Sequence, residues 1–357
     1  MSRIRTLDAI RGVAVLIMIP LHLLLFGGGS EWNIGGGLTV PPPPVDLTPP
    51  FGTGLVLFFF ITGMALAVSS VQRGGTRTMG KLSIGVVKRY GTYILIGAAV
   101  QFALICILQP IFSDPGTYVV PMEPLAILQY IFGGEFLTLA QPIIGLSLGA
   151  MIAFPFIHKL SWKSLAAAAL VLAMTFWGAL SLVVLPDFFL LNLLFTDAFA
   201  VFKGLTTIFF GAALGKLMMG GKTVDRKYVA AAVAVVGAYI AVPSLLNGQP
   251  LHLALALWSY PHAIAFITAL GVVSLSLFRR FDSTRASFLA FTVLGRSSFA
   301  VYFGHFFLII AIYAAFMALG ITATAGLVLA EMALSTAVIW GAAYYFSTRR
   351  WGHPSTW

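Results

Sequence analysis

An arginine and a histidine lie in the first apolar segment of the chain, RTLDAIRGVAVLIMIPLH, which runs from Arg5 to His22. Arg11 and His22 are eleven positions apart, so on an ideal helix both side chains leave the same face about 16 Å apart along the axis. An ionisable pair inside a membrane helix is costly unless it faces a cavity or a partner, which indicates a functional site. Such a pair suits a long ligand that is anionic at one end and reactive at the other. The competing interpretations are that Arg11 only marks the cytoplasmic border and that His22 only makes a hydrogen bond between helices.

The composition indicates what surrounds the chain. Hydrophobic residues make up 59% of it, charged residues only 9%, and the mean hydropathy is +0.97. Such a chain cannot cover itself with a polar surface, which predicts an all-α, polytopic membrane protein with the lipid bilayer as its main partner. The net charge of +10 does not indicate a nucleic-acid partner, because the charges lie between apolar segments and form no basic stripe.

Ten apolar segments are long enough to cross a bilayer as helices. We interpret them as a single transmembrane domain over residues 1–357. The predicted spans are Leu7–Phe26, Phe51–Val71, Tyr90–Pro110, Leu139–Ile157, Leu165–Leu185, Ala198–Met218, Tyr228–Leu246, Pro261–Phe278, Leu294–Leu319 and Thr322–Phe346.

The distribution of basic residues predicts the orientation of these spans. Because cytoplasmic loops carry the excess of lysine and arginine in membrane proteins, and the loops on the other side have none, both termini are predicted to be cytoplasmic. We expect an integral protein of a prokaryotic plasma membrane, without a cleavable signal peptide, because charged residues precede and interrupt the first apolar segment. The basic residues at the ends of, or after, the second, fourth, sixth, eighth and tenth spans are Arg73, Arg77, Lys81, Lys88, Arg89, Lys159, Lys163, Lys216, Lys222, Arg226, Lys227, Arg279, Arg280, Arg285, Arg349 and Arg350.

The predicted outer loops combine acidic and aromatic side chains without any lysine or arginine. Residues 27–50 are rich in glycine and proline and include Asp46, and residues 111–138 carry Asp114, Glu123 and Glu135. This composition fits an outward vestibule for an acceptor that bears hydroxyls or an amine, such as a sugar. The alternative is that these side chains anchor the loops at the membrane surface.

The ninth predicted span begins LGRSSFAVYFGHFF and carries a second group of polar residues. Arg296 is predicted at its cytoplasmic end, with His305 about 13 Å deeper. Ser298, Tyr302 and His305 fall within about 60° of one another on an ideal helix and are predicted to line one wall. Arg296 lies on the opposite side of that helix.

Several chemistries lack support in the sequence. It has no P-loop, no GxGxxG after a strand, no CxxC, no HExxH and no GxSxG. The six histidines are dispersed, so we predict no metal site and no tightly bound cofactor. Cys106 falls in an apolar span, and we interpret it as a small buried hydrophobic residue.

Three segments resemble a known family. RIRTLDAIRGVAVLIMIPLH, with Arg11 and His22 at their spacing, is similar to the first helix of the membrane acyltransferases called type 3. LVLFFFITGMALAV resembles the Phe-rich segment that follows in those proteins, and LGRSSFAVYFGHFFLI resembles their late helix ending in Tyr and His. The LDAIRG form and the GLTV-to-VDL segment are also similar to the related branch that contains heparan-α-glucosaminide N-acetyltransferase.

The resemblance implies transfer of an acyl group, with acetyl as the expectation, from cytoplasmic acyl-CoA to an acceptor reached from the other side of the membrane. His22 matches the family's catalytic histidine, and Arg11 matches its partner arginine near the donor. The heparan-type branch often has a different polar residue at the position of His22 and uses a group in the loop before the second span. Asp46 is therefore a second catalytic candidate.

The residues support the same chemistry without the resemblance. Coenzyme A carries phosphates at one end and its thioester at the other, so Arg11 suits the phosphates while His22, some three helical turns deeper, meets the thioester. A neutral imidazole can take a proton from the attacking acceptor or attack the thioester itself, and the sequence leaves both routes open. Asp8 lies one turn before Arg11 and is predicted to orient it. Secondary donor contacts are predicted at Arg5, Arg73 and Arg296, with Ser298, Tyr302 and His305 in supporting roles.

The competing class of function is a proton-coupled carrier of a small anion or sugar. In that interpretation His22, His305 and Glu331 form a proton relay inside the membrane. A family member that binds its donor without catalysis is a third interpretation. The sequence does not decide whether the chain forms a homo-oligomer, because lipid-facing and partner-facing surfaces of membrane helices have the same composition.

Overall fold

Every element of the part of the chain that the structure describes is a helix. The structure is a computed structural model, and no strand occurs among its described residues, which confirms the all-α prediction. The described residues are 7–16, 53–74, 79–112, 140–179, 189–196, 200–219, 226–227, 229–234, 268–269, 271–273, 276, 289–319 and 325–351.

The helices follow the apolar segments of the sequence. Two of them continue directly into a π-helical turn: α5 into Met174–Ala179 and α6 into Asn192–Thr196. Apart from short helical pieces between residues 226 and 276, the described helices in chain order are α1 (residues 7–16), α2 (Thr53–Gly74), α3 (Met79–Phe112), α4 (Ala140–Lys159), α5 (Trp162–Ala173), α6 (Phe189–Leu191), α7 (Val201–Met219), α8 (Leu289–Arg296), α9 (Ser298–Ala318) and α10 (Ala325–Trp351).

Two of the described helices are long and apolar enough to cross a membrane, over Gln141–Lys159 and Val201–Met219. Leu57–Gln72 and Trp162–Phe176 are shorter apolar helices. These four segments overlap the fourth, sixth, second and fifth predicted spans, respectively. The count of ten spans and the cytoplasmic position of both termini stay predictions.

The structure differs from the sequence prediction in α3 and around Ser297. Helix α3 begins at Met79 instead of Tyr90, so Lys88 lies on the helix and not in a loop. The helix extends this far because Leu82, Val86 and Tyr90 recur at every fourth position and pack against a hydrophobic core. The ninth predicted span is divided into α8 and α9 by a turn at Ser297.

The prediction for Cys106 was wrong, because its side chain is exposed on α3. Its neighbour Phe102 is also exposed. Apolar side chains on the outside are expected where lipid replaces water as the solvent, so an apolar span does not imply that each of its residues is buried in protein.

The chain divides into two compact units, each with its own core. The first comprises Met1–Phe58, Arg226–Ser259 and Ala269–Trp357, and the second comprises Phe59–Asp225 and Tyr260–Thr268. Whether the two units form the single predicted domain stays a prediction. Side chains of α1, α8, α9 and α10 form a buried cluster in the first unit: Val15, Val293, Leu294, Val301, Ile339 and Ala343.

The second unit is built around α4 and α7. Lys216 of α7 donates hydrogen bonds to the backbone carbonyls of His158 and Leu160, where α4 ends. The last carbonyls of a helix lack partners inside the helix, so a lysine placed there stabilises the helix end. Gly63 and Gly211 allow α2 and α7 to touch at their backbones, since a Cβ on either glycine would overlap a carbonyl of the other helix.

Candidate functional site

The first helix places Asp8 and Arg11 on one face, one turn apart. Arg11 Nη1 donates a hydrogen bond to Asp8 Oδ1 at 3.2 Å, and the two charges form an ion pair. Residues three apart on a helix are neighbours, so this contact follows directly from the spacing in the sequence. The contact between Asp8 and Arg11 is therefore present, and the role of Asp8 in orienting Arg11 stays a prediction.

A second arginine reaches the same carboxylate from another helix. Arg296, the last residue of α8, places its Nε 3.7 Å from Asp8 Oδ2. Each carboxylate oxygen of Asp8 therefore faces a different arginine. Among the described side chains, two guanidinium groups and one carboxylate meet here, which together carry one net positive charge.

The three side chains of this cluster differ in accessibility. Asp8 is 2% exposed and Arg296 is 7% exposed, whereas Arg11 is 27% exposed. The net positive charge of the cluster is therefore accessible mainly through Arg11. A guanidinium that is fixed by a carboxylate and still accessible is well placed to bind an anionic group of a ligand.

A backbone contact between α1 and α8 brings these charges together. A Cβ added at Gly12 would overlap the carbonyl oxygen of Phe291, and one added at Gly295 would overlap the carbonyl oxygen of Asp8. Small residues allow membrane helices to approach this closely. Gly12 directly follows Arg11 and Gly295 directly precedes Arg296, so the closest point of the two helices coincides with the charged cluster.

We expect Gly12→Ala and Gly295→Ala each to lower the free energy of unfolding by about 1–3 kcal/mol, because the added methyl group meets backbone that must shift. Gly304→Ala in α9 is the matched control, since a Cβ there meets nothing within 4 Å. Denaturant titration of the detergent-purified protein measures the difference. Equal stability of Gly295→Ala and Gly304→Ala would contradict the close approach of α1 and α8.

Helix α9 carries the remaining predicted residues that the structure describes. Tyr302 and His305 are both buried, with ring centroids 6.0 Å apart. His305 Nδ1 lies 2.9 Å from the backbone carbonyl of Val301, so in the neutral ring Nδ1 donates and Nε2 remains the acceptor. Ser298 is half-buried at the start of the helix. The supporting roles of these side chains in the reaction stay predictions.

The connection between α8 and α9 is fixed to the last described helix. Ser297 Oγ lies 3.0 Å from Ser347 Oγ of α10. The backbone continues the helical hydrogen bonding through the turn, with Ser297 N donating to Val293 O and Val301 N donating to Ser297 O. Arg296 is thereby held at a defined position at the end of α8.

Comparison with known protein families decides the class of this chain. The sequence model of an acyltransferase domain matches residues 4–346. The chain belongs to the type-3 acyltransferase family. It is therefore a membrane-embedded, acyl-transferring enzyme. No curated protein and no solved structure matches it.

Several residues that the sequence predicts for the functional site of this acyltransferase lie outside the described part of the chain. These are Arg5, His22 and Asp46. Arg73 belongs to α2, but its side chain is also outside the description. Of the predicted donor-binding residues, the structure thus describes Arg11 and Arg296, which it brings to the same carboxylate. Among the described residues, no cluster of three or more His, Cys, Asp or Glu side chains is suited to hold a metal ion.

Reasoning from the sequence missed the pairing of Asp8 with Arg296 and the close backbone approach at Gly12 and Gly295. A single sequence carries no signal for a contact between residues so far apart. The only local indication is that each glycine is adjacent to an arginine, in the segments AIRG and LGRS.

Proposed function

We propose that this acyltransferase moves an acyl group, expected to be acetyl, from cytoplasmic acyl-CoA to a hydroxyl or amine of a sugar-type acceptor on the outer side of the membrane. The observation that carries the proposal is Arg11, the accessible cation of a buried Arg–Asp–Arg cluster near the start of the first helix. Membership of the type-3 family supports the transfer of an acyl group.

Arg11 is assigned to the phosphates of the donor. A guanidinium donates two parallel hydrogen bonds to a phosphate, and such charge-assisted bonds are about twice as strong as neutral ones. Asp8 restricts the orientation of Arg11 and so lowers the entropy that the side chain loses when the donor binds. In the sequence, Arg5 and Arg73 add positive charge at the cytoplasmic ends of the first two predicted spans.

His22 is assigned to the chemistry, about 16 Å deeper along the ideal helix. The acceptor oxygen or nitrogen forms a bond to the thioester carbonyl carbon, and the carbon–sulfur bond breaks. The proton of the acceptor passes to His22 and from His22 to the departing thiolate, so that free CoA leaves. Alternatively, His22 attacks the thioester itself to form an acyl-imidazole, from which the acyl group passes to the acceptor, and the overall products are the same. Asp46 is the second candidate for the base.

The acceptor is assigned from the predicted outer loops. Their acids and aromatic side chains, without lysine or arginine, suit a ligand with hydroxyl or amino groups, as found on carbohydrates. A prokaryotic plasma membrane is the proposed location, where cell-envelope glycans are such acceptors.

Proteoliposomes test the proposal. They are loaded with a panel of amino sugars and neutral oligosaccharides, and acetyl-labelled acetyl-CoA is added outside. We expect label on an enclosed acceptor and an equal amount of CoA thiol outside with the wild type, and neither with His22→Ala. Uptake of an external labelled sugar that follows a proton gradient, without acetyl-CoA and without thiol release, would contradict the proposal and favour the carrier.

A further inference from the structure

The pair formed by Asp8 and Arg296 adds a supporting contact to the proposed donor site. Building on the proposed function, we propose that Arg296 is a positioning residue: it takes up the charge of Asp8 so that Arg11 remains available for the donor phosphates. In this arrangement Arg296 itself does not contact the donor.

The geometry of the carboxylate supports this division of roles. Asp8 Oδ1 accepts a hydrogen bond from Arg11 at 3.2 Å, while Asp8 Oδ2 faces Arg296 Nε at 3.7 Å. In these two contacts the arginines approach different oxygens of the carboxylate. Arg296 therefore neutralises the carboxylate without displacing Arg11 from it.

The accessibility of the two arginines assigns them different tasks. Arg296 is 7% exposed and lies at the backbone contact between α1 and α8, next to Gly295. A phosphate would have to open this contact to reach it. Arg11 is 27% exposed and can be reached while it stays in contact with Asp8.

Charge balance explains why Arg296 matters for the donor. The three described side chains of the cluster carry one net positive charge while Arg296 is present, and an anionic ligand meets this charge at Arg11. Without Arg296 the pair of Asp8 and Arg11 is neutral, and the carboxylate competes with phosphate for the same guanidinium. Because these groups are largely removed from water, the competition is stronger than it is on an exposed surface.

The test compares donor affinity in Arg296→Gln and in the double variant Asp8→Asn/Arg296→Gln, measured as the Kd of acetyl-CoA by isothermal titration. We expect Arg296→Gln to raise the Kd roughly tenfold, within the range found for coupled neighbouring charges. The Kd of the double variant should return to within about threefold of the wild-type Kd. The competing carboxylate is then gone, and the amide oxygen of the introduced asparagine can still accept a hydrogen bond from Arg11.

Asp8→Asn alone separates this role from a structural one. It breaks the ion pair but removes the competing carboxylate and keeps Arg296, so its Kd should stay within about threefold of the wild type. A purely structural role of Arg296 would instead raise the Kd in Asp8→Asn as well, because the same ion pair is lost.

Arg349→Gln is the control for a general loss of positive charge, since Arg349 is exposed and lies over the ring of Tyr345. It should bind acetyl-CoA like the wild type. Weak binding by both Arg296→Gln and the double variant, with each still folded by its thermal unfolding profile, would overturn the positioning role and make Arg296 a direct donor ligand. A wild type that does not bind acetyl-CoA would instead overturn the proposed function.

Discussion

Replacing His22 with alanine is expected to lower the rate of acyl transfer by roughly 10²–10⁴-fold, the usual contribution of a positioned general base. The loss should appear in kcat, because the acceptor proton no longer has a group to receive it. Acetyl-CoA should bind as it does to the wild type, since the proposed phosphate contact is Arg11. Release of CoA thiol in the proteoliposome assay measures the rate.

His158→Ala is the matched control for this prediction. His158 lies near the end of α4 in the second compact unit and has no part in the proposed chemistry. We expect it to retain wild-type transfer. A folded His22→Ala enzyme with an unchanged rate would exclude His22 as the base, and a comparable loss in Asp46→Asn alone would assign that role to Asp46.

The second large effect is expected for Asp8→Asn, which should lower the free energy of unfolding by about 3–5 kcal/mol. The substitution removes the carboxylate that faces the buried guanidinium of Arg296 and leaves a buried charge without this counter-ion. Equilibrium unfolding in detergent, followed by circular dichroism, measures the change.

The double variant Asp8→Asn/Arg296→Gln separates charge burial from packing. It removes both charges while keeping a polar side chain at each position, so we expect it to be more stable than Asp8→Asn alone. A double variant as unstable as the single one would mean that the loss arises from packing. Asp8→Asn with wild-type stability would contradict the buried ion pair.

The sequence predicted the features that depend on the spacing of nearby residues, namely helix positions and contacts within one helix. In a membrane helix the lipid-exposed face and the buried face are both apolar, so a continuous run of apolar residues marks a span. The apolar segments therefore predicted the approximate positions of α2, α4 and α7. The contact of Asp8 with Arg11 followed from helical geometry alone, since the two residues are one turn apart.

The contacts between distant segments could not be predicted in this way. Nothing in the composition of the ninth apolar segment indicates that Arg296 ends one helix and reaches Asp8 of another. The turn at Ser297 was missed for a related reason, because its backbone hydrogen bonds remain helical in pattern and no proline or glycine pair marks it. Long-range pairing depends on tertiary packing, which a single sequence does not report.

Thermal unfolding with and without acetyl-CoA tests the central claim most directly, because it requires no knowledge of the acceptor. It compares the detergent-purified wild type, Arg11→Ala and His22→Ala. A ligand at about 100 times its Kd stabilises the folded state by about 2.7 kcal/mol, which is readily seen as a rise in Tm. We predict this rise for the wild type and for His22→Ala and its loss in Arg11→Ala. A wild type that is not stabilised by any acyl-CoA would contradict the account.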